Sequence, residues 1–192
     1  MAVEPLPIDK FAFYLIQDHM FLKEFCAFLL AAKQKTNDEK LITWFESLYR
    51  STIGSKMQMQ KEILISFGIS SIDNNAISMA PATLNYASFL RKLSSSSVRN
   101  LEVIVLAMAP CPWSYLEIAQ ELSKSNIKTE VYCKWIRFYA SKQSEQQIEE
   151  LKDILSRLYD QADETNKLLM KEHFGAACRC EYDFWEMAYN MG

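Results

Sequence analysis

Apolar residues along this chain recur at helical spacing, and no convincing period-two strand occurs. The first helical segment, PIDKFAFYLIQDHMFLKEFCAFLLAAKQK, has Asp9 as its candidate N-cap. Its apolar stripe consists of residues three and four positions apart: Phe11, Tyr14, Leu15, Phe21, Leu22, Phe25 and Leu29. The second segment, NDEKLITWFESLYRSTIGSKMQMQKEILISFG, ends at Gly68 and has a candidate bend at Gly54. These patterns predict two long amphipathic helices.

A polar linker around residues 69–79 separates these two helices from five more. Pro81 suits the first turn of PATLNYASFLRKL, which ends at the serine run 94–97. The next two segments are LEVIVLAMAPCPWSYLEIAQEL and EVYCKWIRFYAS. The sixth begins with Ser144 and Gln147 at capping-box spacing, and the seventh runs almost to the C-terminus. Because short connections favour antiparallel neighbours, the sequence predicts an all-α bundle of about seven helices.

Composition and charge narrow the class of protein and of partner. At 192 residues, with 49% hydrophobic and 23% charged residues, the chain has the size of one domain, which we place at residues 1–192. A net charge of -3 with scattered Lys and Arg disfavours nucleic acid and anionic membranes. Glu4 and Asp9 lie where a secretory signal carries positive charge, and no apolar segment looks long enough to span a bilayer. We therefore expect a cytoplasmic protein that binds a small, roughly neutral molecule.

Two acidic residues interrupt the apolar stripes. Asp18 lies at the centre of the first stripe, and Glu181 lies at the centre of the last. The other members of the last stripe are Phe174, Ala177, Cys178, Phe184, Trp185 and Ala188. An unpaired carboxylate in a core would have a raised pKa or destabilise the fold, so each acid needs a hydrogen-bonding partner or a ligand. Alternatively, each acid caps a neighbouring helix or bonds a tyrosine.

The stretch APCPWSYLEI places a cysteine between two prolines inside a predicted helix. Pro110 and Pro112 lack the amide hydrogen of other helical residues, so the helix must kink or restart around Cys111. A cysteine at the start of a helical segment lies near free amides and the positive end of the helix dipole, which lower a thiol pKa. Tyr115 is four residues further on and shares its face. The stretch predicts an activated thiol, with a core cysteine beside an ordinary proline kink as the alternative.

The remaining cysteines are weaker candidates for chemistry. Five cysteines in a chain without an export signal indicate free thiols rather than a disulfide framework. Cys178 and Cys180, two apart on a helix, point away from each other and make a poor metal pair. Cys26 and Cys133 fit packing positions. We therefore expect no metal centre built from these residues.

His19 and His173 are the only histidines in the chain. Each lies one position from a stripe residue, which predicts a surface side chain and disfavours a haem or metal ligand. Without a suitable histidine, a Cys-His or Ser-His-Asp arrangement is not expected.

Tyrosines on the third and fifth helices add to the candidate site. Tyr86 and Tyr139 lie on apolar faces, where aromatic residues usually belong to the core. A thiol, two buried acids and several tyrosine hydroxyls together nonetheless suit a flat, uncharged, nitrogen-rich heterocycle. Such a ligand would stack on rings while the carboxylates bind its amino and ring-nitrogen edges.

Four separated segments, FYLIQDHMFLKEF, LAMAPCPWSYLEIAQEL, YCKWIRFYAS and CEYDFWEMAY, occur in an order and spacing that resembles the TenA family, also called thiaminase II or aminopyrimidine aminohydrolase. The resemblance covers nearly the whole chain, and Cys111 places it in the cysteine-bearing branch. It implies a haem-oxygenase-like helical bundle that binds no haem, needs no cofactor and usually forms a homotetramer. It also implies hydrolysis of 4-amino-5-aminomethyl-2-methylpyrimidine, a thiamin breakdown product, to hydroxymethylpyrimidine. Some members of the family also cleave thiamin.

The resemblance further implies a role for each site residue. Cys111 is the nucleophile that adds to the pyrimidine ring, with Tyr115 bonded to it, and Glu181 manages protons on the leaving group and the incoming water. Asp18 holds the ring amine and its neighbouring nitrogen, and Tyr139 bonds the ring on another side. The pocket is shaped by Phe21, Tyr86 and Phe184.

Three positions depart from the family pattern. Phe21 stands where bacterial members often have tyrosine, which keeps the stacking and loses a hydroxyl. Gln60 and Lys56 stand where many relatives have histidine and glutamate. These departures bear on substrate preference more than on the class of reaction.

Two other functions compete with that of a salvage hydrolase. A non-catalytic pyrimidine-binding or regulatory protein could use the same pocket, although the acidic balance and the lack of a basic recognition helix disfavour DNA contact. An oxidase on the same fold would require pocket histidines or arginines, which the two off-stripe histidines do not provide. Because only the hydrolase needs an activated Cys111, thiol reactivity separates an enzyme from a binder.

Overall fold

The computed structural model describes residues 6–69, 78–95 and 100–192, which form helices and no strand. The α-helices in these residues are α1 (Ile8–Lys33), α2 (Glu39–Ser51), α3 (Met57–Ser66), α4 (Pro81–Ser94), α5 (Leu101–Met108), α6 (Pro110–Ser123), α7 (Glu130–Tyr139), α8 (Lys142–Gln161) and α9 (Glu164–Asn190). Two pairs, α2 with α3 and α5 with α6, each correspond to one predicted helix. The all-α class and the number of about seven helices are therefore confirmed. Most of the predicted linker at 69–79 and half of the serine run 94–97 lie outside the described residues.

A π-helical turn interrupts the second predicted helix. The turn spans Thr52–Lys56 between α2 and α3, and it includes the predicted bend at Gly54. A π-helical turn hydrogen-bonds each residue to the fifth one along, so it holds one residue more than an α-helical turn. A Cβ atom added at Gly54 would meet nothing within 4 Å, so close packing does not require glycine there. The predicted bend is thus a local change of helix type.

The predicted restart near Cys111 occurs at Pro110. Only Ala109 separates α5 from α6, and it keeps a right-handed helical backbone. The amide of Ala109 donates to the carbonyl of Leu106 at 3.2 Å, a bond one residue tighter than in an α-helix. The amide of Trp113 then donates to the carbonyl of Ala109 at 3.2 Å, which resumes the α-helical pattern. The prolines therefore interrupt the α-helical hydrogen bonding, while the backbone between α5 and α6 keeps a helical conformation.

The described helices divide into two compact units. The first, here called the α1–α4 unit, comprises Pro7–Leu101 and Tyr182–Gly192. The second, the α6–α8 unit, comprises Glu102–Glu181 together with Leu6. Within the α1–α4 unit, α1 packs against α2, α3 and α4; within the α6–α8 unit, α6 packs against α7 and α8. A single domain over residues 1–192 stays a prediction.

Helix α1 is buried on more than one side. The seven residues of its predicted stripe are all buried. Gln17 and His19, on either side of Asp18, are buried as well, and α1 packs against three other helices of its unit. His19 is 0% exposed, so the prediction of a surface histidine is wrong, because a helix enclosed by neighbours offers no solvent-facing side at this point. His173 is half-buried on α9, with its Nδ1 atom 2.8 Å from the carbonyl oxygen of Leu169.

Two helices begin at other residues than the sequence pattern indicates. Asp9 lies inside the first turn of α1, whose N-cap is Pro7. Helix α8 is capped by Ser141, whose hydroxyl accepts a hydrogen bond from the amide of Ser144 at 3.2 Å. The predicted cap at Ser144 is therefore three residues too late. Polar residues near a helix start offer several candidate caps, and the backbone conformation decides which side chain reaches the free amides.

Gln17 joins α1 to the start of α4 through its side-chain amide. Its Oε1 atom accepts hydrogen bonds from the backbone amide of Ala80 at 2.9 Å and from the Thr83 hydroxyl at 2.8 Å. Its Nε2 atom donates to the carbonyl of Ser78 at 3.2 Å. These bonds satisfy polar groups at the first turn of α4, the helix that carries Tyr86.

We expect Gln17→Leu to lower the free energy of unfolding by about 1–3 kcal/mol, because it leaves buried polar groups at the start of α4 without partners. Urea denaturation of this variant, of a control variant and of the wild type measures this loss. The matched control is Gln58→Leu, since Gln58 is exposed and donates to Glu62 at the surface. That control should stay within about 0.5 kcal/mol of the wild type. Equal losses in the two variants would contradict a structural role for Gln17.

One helical stretch in the described residues is long and apolar enough to cross a membrane by length and composition alone. It runs over Leu101–Ser123, 23 residues formed by α5 and α6. The expectation that no segment reaches this length is therefore wrong. Core helices pass the same test, and 56% of the apolar window is buried inside the protein. The stretch is thus weak evidence for a membrane span.

Candidate active site

Asp18 lies in a buried polar group of the α1–α4 unit. Its side chain is 1% exposed, so its predicted burial is confirmed. The Gln60 side chain donates from Nε2 to Asp18 Oδ2 at 2.5 Å. The Tyr14 hydroxyl lies 3.5 Å from the same oxygen, which is a long and weak hydrogen bond. The tyrosine partner agrees with one of the structural alternatives for Asp18, and the amide of Gln60 adds a partner that the sequence did not indicate.

Three aromatic residues of the predicted site lie together in the same unit. The ring centroids of Phe21 and Tyr86 are 4.5 Å apart, and that of Phe184 lies 6.0 Å from Phe21. Phe184 also meets the ring of Tyr14 edge-on at 6.3 Å. Because Tyr14 also bonds to Asp18, the aromatic residues adjoin the buried polar group. The α1–α4 unit therefore supplies ring faces close to a carboxylate.

Cys111 occupies the second position of α6 and is 2% exposed. The first amides of an α-helix normally lack partners within the helix and can bind an anion. Here the first and third positions are Pro110 and Pro112, which carry no amide hydrogen. Of the first three residues of α6, Cys111 alone has an amide hydrogen. The predicted group of free amides near the thiol is therefore smaller than at other helix starts, whereas the helix dipole remains.

Tyr115 lies on α6 among aromatic residues of α7. Its ring centroid is 4.9 Å from that of Tyr139 and 5.9 Å from that of Trp135. Trp135 and Tyr139 are 4.6 Å apart between centroids. All three residues are buried, as is Cys111 one helical turn before Tyr115. The α6–α8 unit therefore holds the thiol and two tyrosines on buried faces.

Glu181 is 6% exposed, so the predicted burial of the second acid is confirmed. Cys178, which the pattern placed on the same stripe, is exposed. The buried face of this part of α9 includes Ala177 and Glu181. Cys178 follows Ala177 directly, so its side chain is turned about 100° away from that of Ala177 around the helix axis. Partial burial and the negative charge of Glu181 raise the pKa of the Cys178 thiol, which Arg179 lowers in part.

The other candidate ligands for a metal are dispersed. The described ranges contain no group of three or more His, Cys, Asp or Glu side chains that could hold a metal ion.

None of the five cysteines is in a disulfide. Burial raises the pKa of the Cys26 thiol, and Lys56 lowers it in part. Cys133 is half-buried and donates from Sγ to the carbonyl of Ile127 at 3.2 Å.

The eight predicted site residues are all buried and divide equally between the two units. The α1–α4 unit contains Asp18, Phe21, Tyr86 and Phe184. The α6–α8 unit contains Cys111, Tyr115, Tyr139 and Glu181. Two further residues, Tyr14 and Gln60, contact Asp18. Gln60 could have been found by the criterion that identified Asp18, since it is a polar residue between buried Met57 and Leu64 at helical spacing.

The chain matches the TENA/THI-4/PQQC family over residues 1–191. Two curated relatives, both named aminopyrimidine aminohydrolase, are 29% identical to it. The protein of Halalkalibacterium halodurans aligns over 189 residues, 95% of this chain and 81% of the relative. That of Bacillus subtilis aligns over 184 residues, 96% of this chain and 77% of the relative.

Solved structures of similar proteins show the same fold. A TenA homologue from Pyrococcus furiosus has a TM-score of 0.88 at 20% sequence identity, over 98% of this chain and 88% of its own. A TenA homologue from P. horikoshii has a TM-score of 0.82 at 23% identity, over 97% and 85% respectively. At such identities the likeness concerns the fold alone.

Proposed function

Since the chain belongs to the TENA/THI-4/PQQC family, we propose that it is a thiamin-salvage enzyme that hydrolyses 4-amino-5-aminomethyl-2-methylpyrimidine to 4-amino-5-hydroxymethyl-2-methylpyrimidine. The observation that carries the proposal is the buried thiol of Cys111 in the first turn of α6, in a chain whose curated relatives are named aminopyrimidine aminohydrolase. Thiamin is a second candidate substrate, because its thiazolium ring is attached to the same methylene carbon and is a good leaving group.

The first half of the proposed reaction releases ammonia. The Cys111 thiolate adds to the ring carbon beside the one that bears the aminomethyl group. The electron pair of the double bond between these two ring carbons moves to form an exocyclic methylene. The carbon–nitrogen bond of the aminomethyl group breaks at the same time. Glu181, as the acid, gives a proton to the departing amine. The ring loses its aromaticity in this step, and the covalent bond to sulfur compensates for part of the loss.

The second half restores the ring. Water adds to the exocyclic methylene while the Glu181 carboxylate removes its proton. The electron pair returns to the ring double bond and expels the Cys111 thiolate. The balance is one aminomethylpyrimidine and one water in, and one hydroxymethylpyrimidine and one ammonia out. This chemistry requires no cofactor and no metal ion.

Recognition of the ring is assigned to the remaining site residues. Asp18 accepts a hydrogen bond from the ring amine and lies against the neighbouring ring nitrogen, and Tyr139 bonds the ring on another side, with Tyr115 bonded to the thiol. The contacts among Phe21, Tyr86 and Phe184 support stacking on the flat heterocycle. Burial of the carboxylate supports its role, because hydrogen bonds made away from water discriminate well between ligands.

The proposed function is tested by incubating the purified protein with 4-amino-5-aminomethyl-2-methylpyrimidine, and separately with thiamin, and following the products by mass spectrometry. From the aminomethylpyrimidine, hydroxymethylpyrimidine and ammonia are expected in equal amounts. From thiamin, hydroxymethylpyrimidine would form together with the released thiazole. If the pyrimidine binds but neither compound is converted, the protein is a binding or regulatory protein, or acts on a different leaving group.

The assembly and the cellular location stay predictions. A homotetramer and a cytoplasmic location are what the family resemblance and the composition imply. A small-molecule partner, rather than nucleic acid or a membrane, is part of the same proposal. The net charge of -3 supports it, because binding to phosphate backbones depends on basic residues.

A further inference from the structure

Two glutamine side chains are buried in the α1–α4 unit, and their amide groups are satisfied to different degrees. Gln17 is 2% exposed, and its Oε1 atom accepts two hydrogen bonds. Gln60 is 0% exposed, and its Nε2 atom donates to Asp18. Its Oε1 atom is buried and accepts no hydrogen bond from the part of the chain that the structure describes. The amide of Gln60 therefore presents an unsatisfied acceptor, its Oε1 atom, next to the residue pair formed with Asp18.

The orientation of the Gln60 amide is fixed by its neighbour. Rotating the amide by 180° would place its oxygen against a carboxylate oxygen at 2.5 Å, which is repulsive while Asp18 is ionised. The amide nitrogen therefore faces Asp18 and the oxygen faces away from it. A buried acceptor without a donor destabilises the protein, so a donor supplied by a ligand would remove that penalty.

We propose that Gln60 is a specificity-determining residue whose Oε1 atom accepts one hydrogen of the ring amine of the bound aminopyrimidine, while Asp18 accepts the other. The inference rests on the proposed function and names the group of the substrate that this pair of residues recognises. An amine on an aromatic ring is planar and carries two hydrogens that point about 120° apart, so its full recognition needs two separate acceptors. A ring oxygen has no such hydrogens, and a methylamino group has only one.

The π-helical turn supports this role. It spans Thr52–Lys56, and Gln60 lies in the first turn of α3 directly after it. Insertion of one residue turns the following helix by about 100°, which sets the face on which Gln60 lies. Such turns occur frequently at functional sites. The π-helical turn therefore sets the orientation of the residue that carries the unsatisfied oxygen.

The experiment measures equilibrium binding of the stable product, 4-amino-5-hydroxymethyl-2-methylpyrimidine, and of its 4-methylamino and 4-dimethylamino analogues by calorimetry. Wild-type protein should lose about tenfold in Kd with each hydrogen replaced, since each removes one hydrogen bond in a buried site. Gln60→Leu should weaken binding of the amine about tenfold and leave binding of the methylamino analogue within about twofold. Gln17→Leu is the matched control, and it should leave the ratio between the two ligands unchanged.

The outcomes separate specificity from structure. Equal weakening of both ligands by Gln60→Leu, or no loss on the first methylation in the wild type, would overturn the inference. The wild-type series gives an answer even if Gln60→Leu does not fold. Because the product binds without turnover, stepwise loss of binding in a protein that hydrolyses nothing would refute the proposed function and keep the inference. A protein that binds none of the three pyrimidines refutes both.

Discussion

Replacing Cys111 by alanine is expected to abolish hydroxymethylpyrimidine formation, with kcat falling by at least about a thousandfold. Addition of the thiolate is the step that allows the amine to leave, and no other side chain in the proposed reaction can form a bond to the ring. Binding of the hydroxymethyl product should change little, because Asp18 and the aromatic residues of the α1–α4 unit remain. Steady-state kinetics with mass-spectrometric detection, together with calorimetry on the same variant, measures both quantities.

Cys26→Ala is the matched control for this variant, because Cys26 is another buried cysteine with no place in the reaction. It should retain the activity of the wild type. The pKa of the Cys26 thiol is raised by burial, so its thiolate fraction at pH 7 lies below that of a model thiol and grows only at higher pH. Iodoacetamide should therefore label Cys111 faster than Cys26 at neutral pH. Activity that survives in Cys111→Ala would exclude nucleophilic catalysis by this thiol.

Asp18→Asn is expected to raise KM for the aminomethylpyrimidine by about 10- to 100-fold, with a smaller change in kcat. The side-chain oxygen of the new asparagine would accept the hydrogen bond from Gln60, since that donor is already in place. The asparagine Nδ2 group would then face the ring amine of the substrate, so that two donors meet. Initial-rate measurements over a range of substrate concentrations separate the change in KM from that in kcat.

A change of ligand preference separates recognition by Asp18 from a merely structural role. The 4-oxo analogue of the product presents an oxygen where the substrate has an amine, and the asparagine Nδ2 group can donate to it. Asp18→Asn should therefore gain affinity for this analogue relative to the amine, whereas a damaged fold would weaken both. Asp9→Asn, which changes an exposed acid on the same helix, is the control and should leave KM unchanged. Unchanged KM in Asp18→Asn itself would assign the carboxylate to structure alone.

The helical pattern predicted those features that depend on burial of a repeated stripe. Asp18 and Glu181 were found because a charged residue within such a stripe is conspicuous, and both are buried. The break before Cys111 followed from a local chemical fact, since proline has no amide hydrogen. Both kinds of prediction need only the residues within a few turns of one helix.

The sequence could not show features that depend on contacts between helices. His19 lies off the stripe of α1 yet is buried, and α1 packs against α2, α3 and α4. The bond between Gln60 and Asp18 joins residues 42 positions apart, and no spacing rule relates them. Cys178 lies on the predicted stripe of α9 and is exposed, because the face that is buried here is narrower than the stripe. Each of these outcomes is decided by tertiary packing rather than by periodicity.

The π-helical turn between α2 and α3 also affects how this chain is aligned with other sequences. A five-residue turn amounts to an insertion inside a helix, and helices are segments where alignments seldom open a gap. In a relative whose helix runs straight through this region, a gap-free alignment would pair Gln60 with a residue that points in another direction. The departures noted at Lys56 and Gln60 therefore depend on which residue of Thr52–Lys56 is treated as the inserted one. Superposition of the polypeptide backbones, rather than counting along the sequence, is the basis on which residues of α3 can be matched to those of relatives.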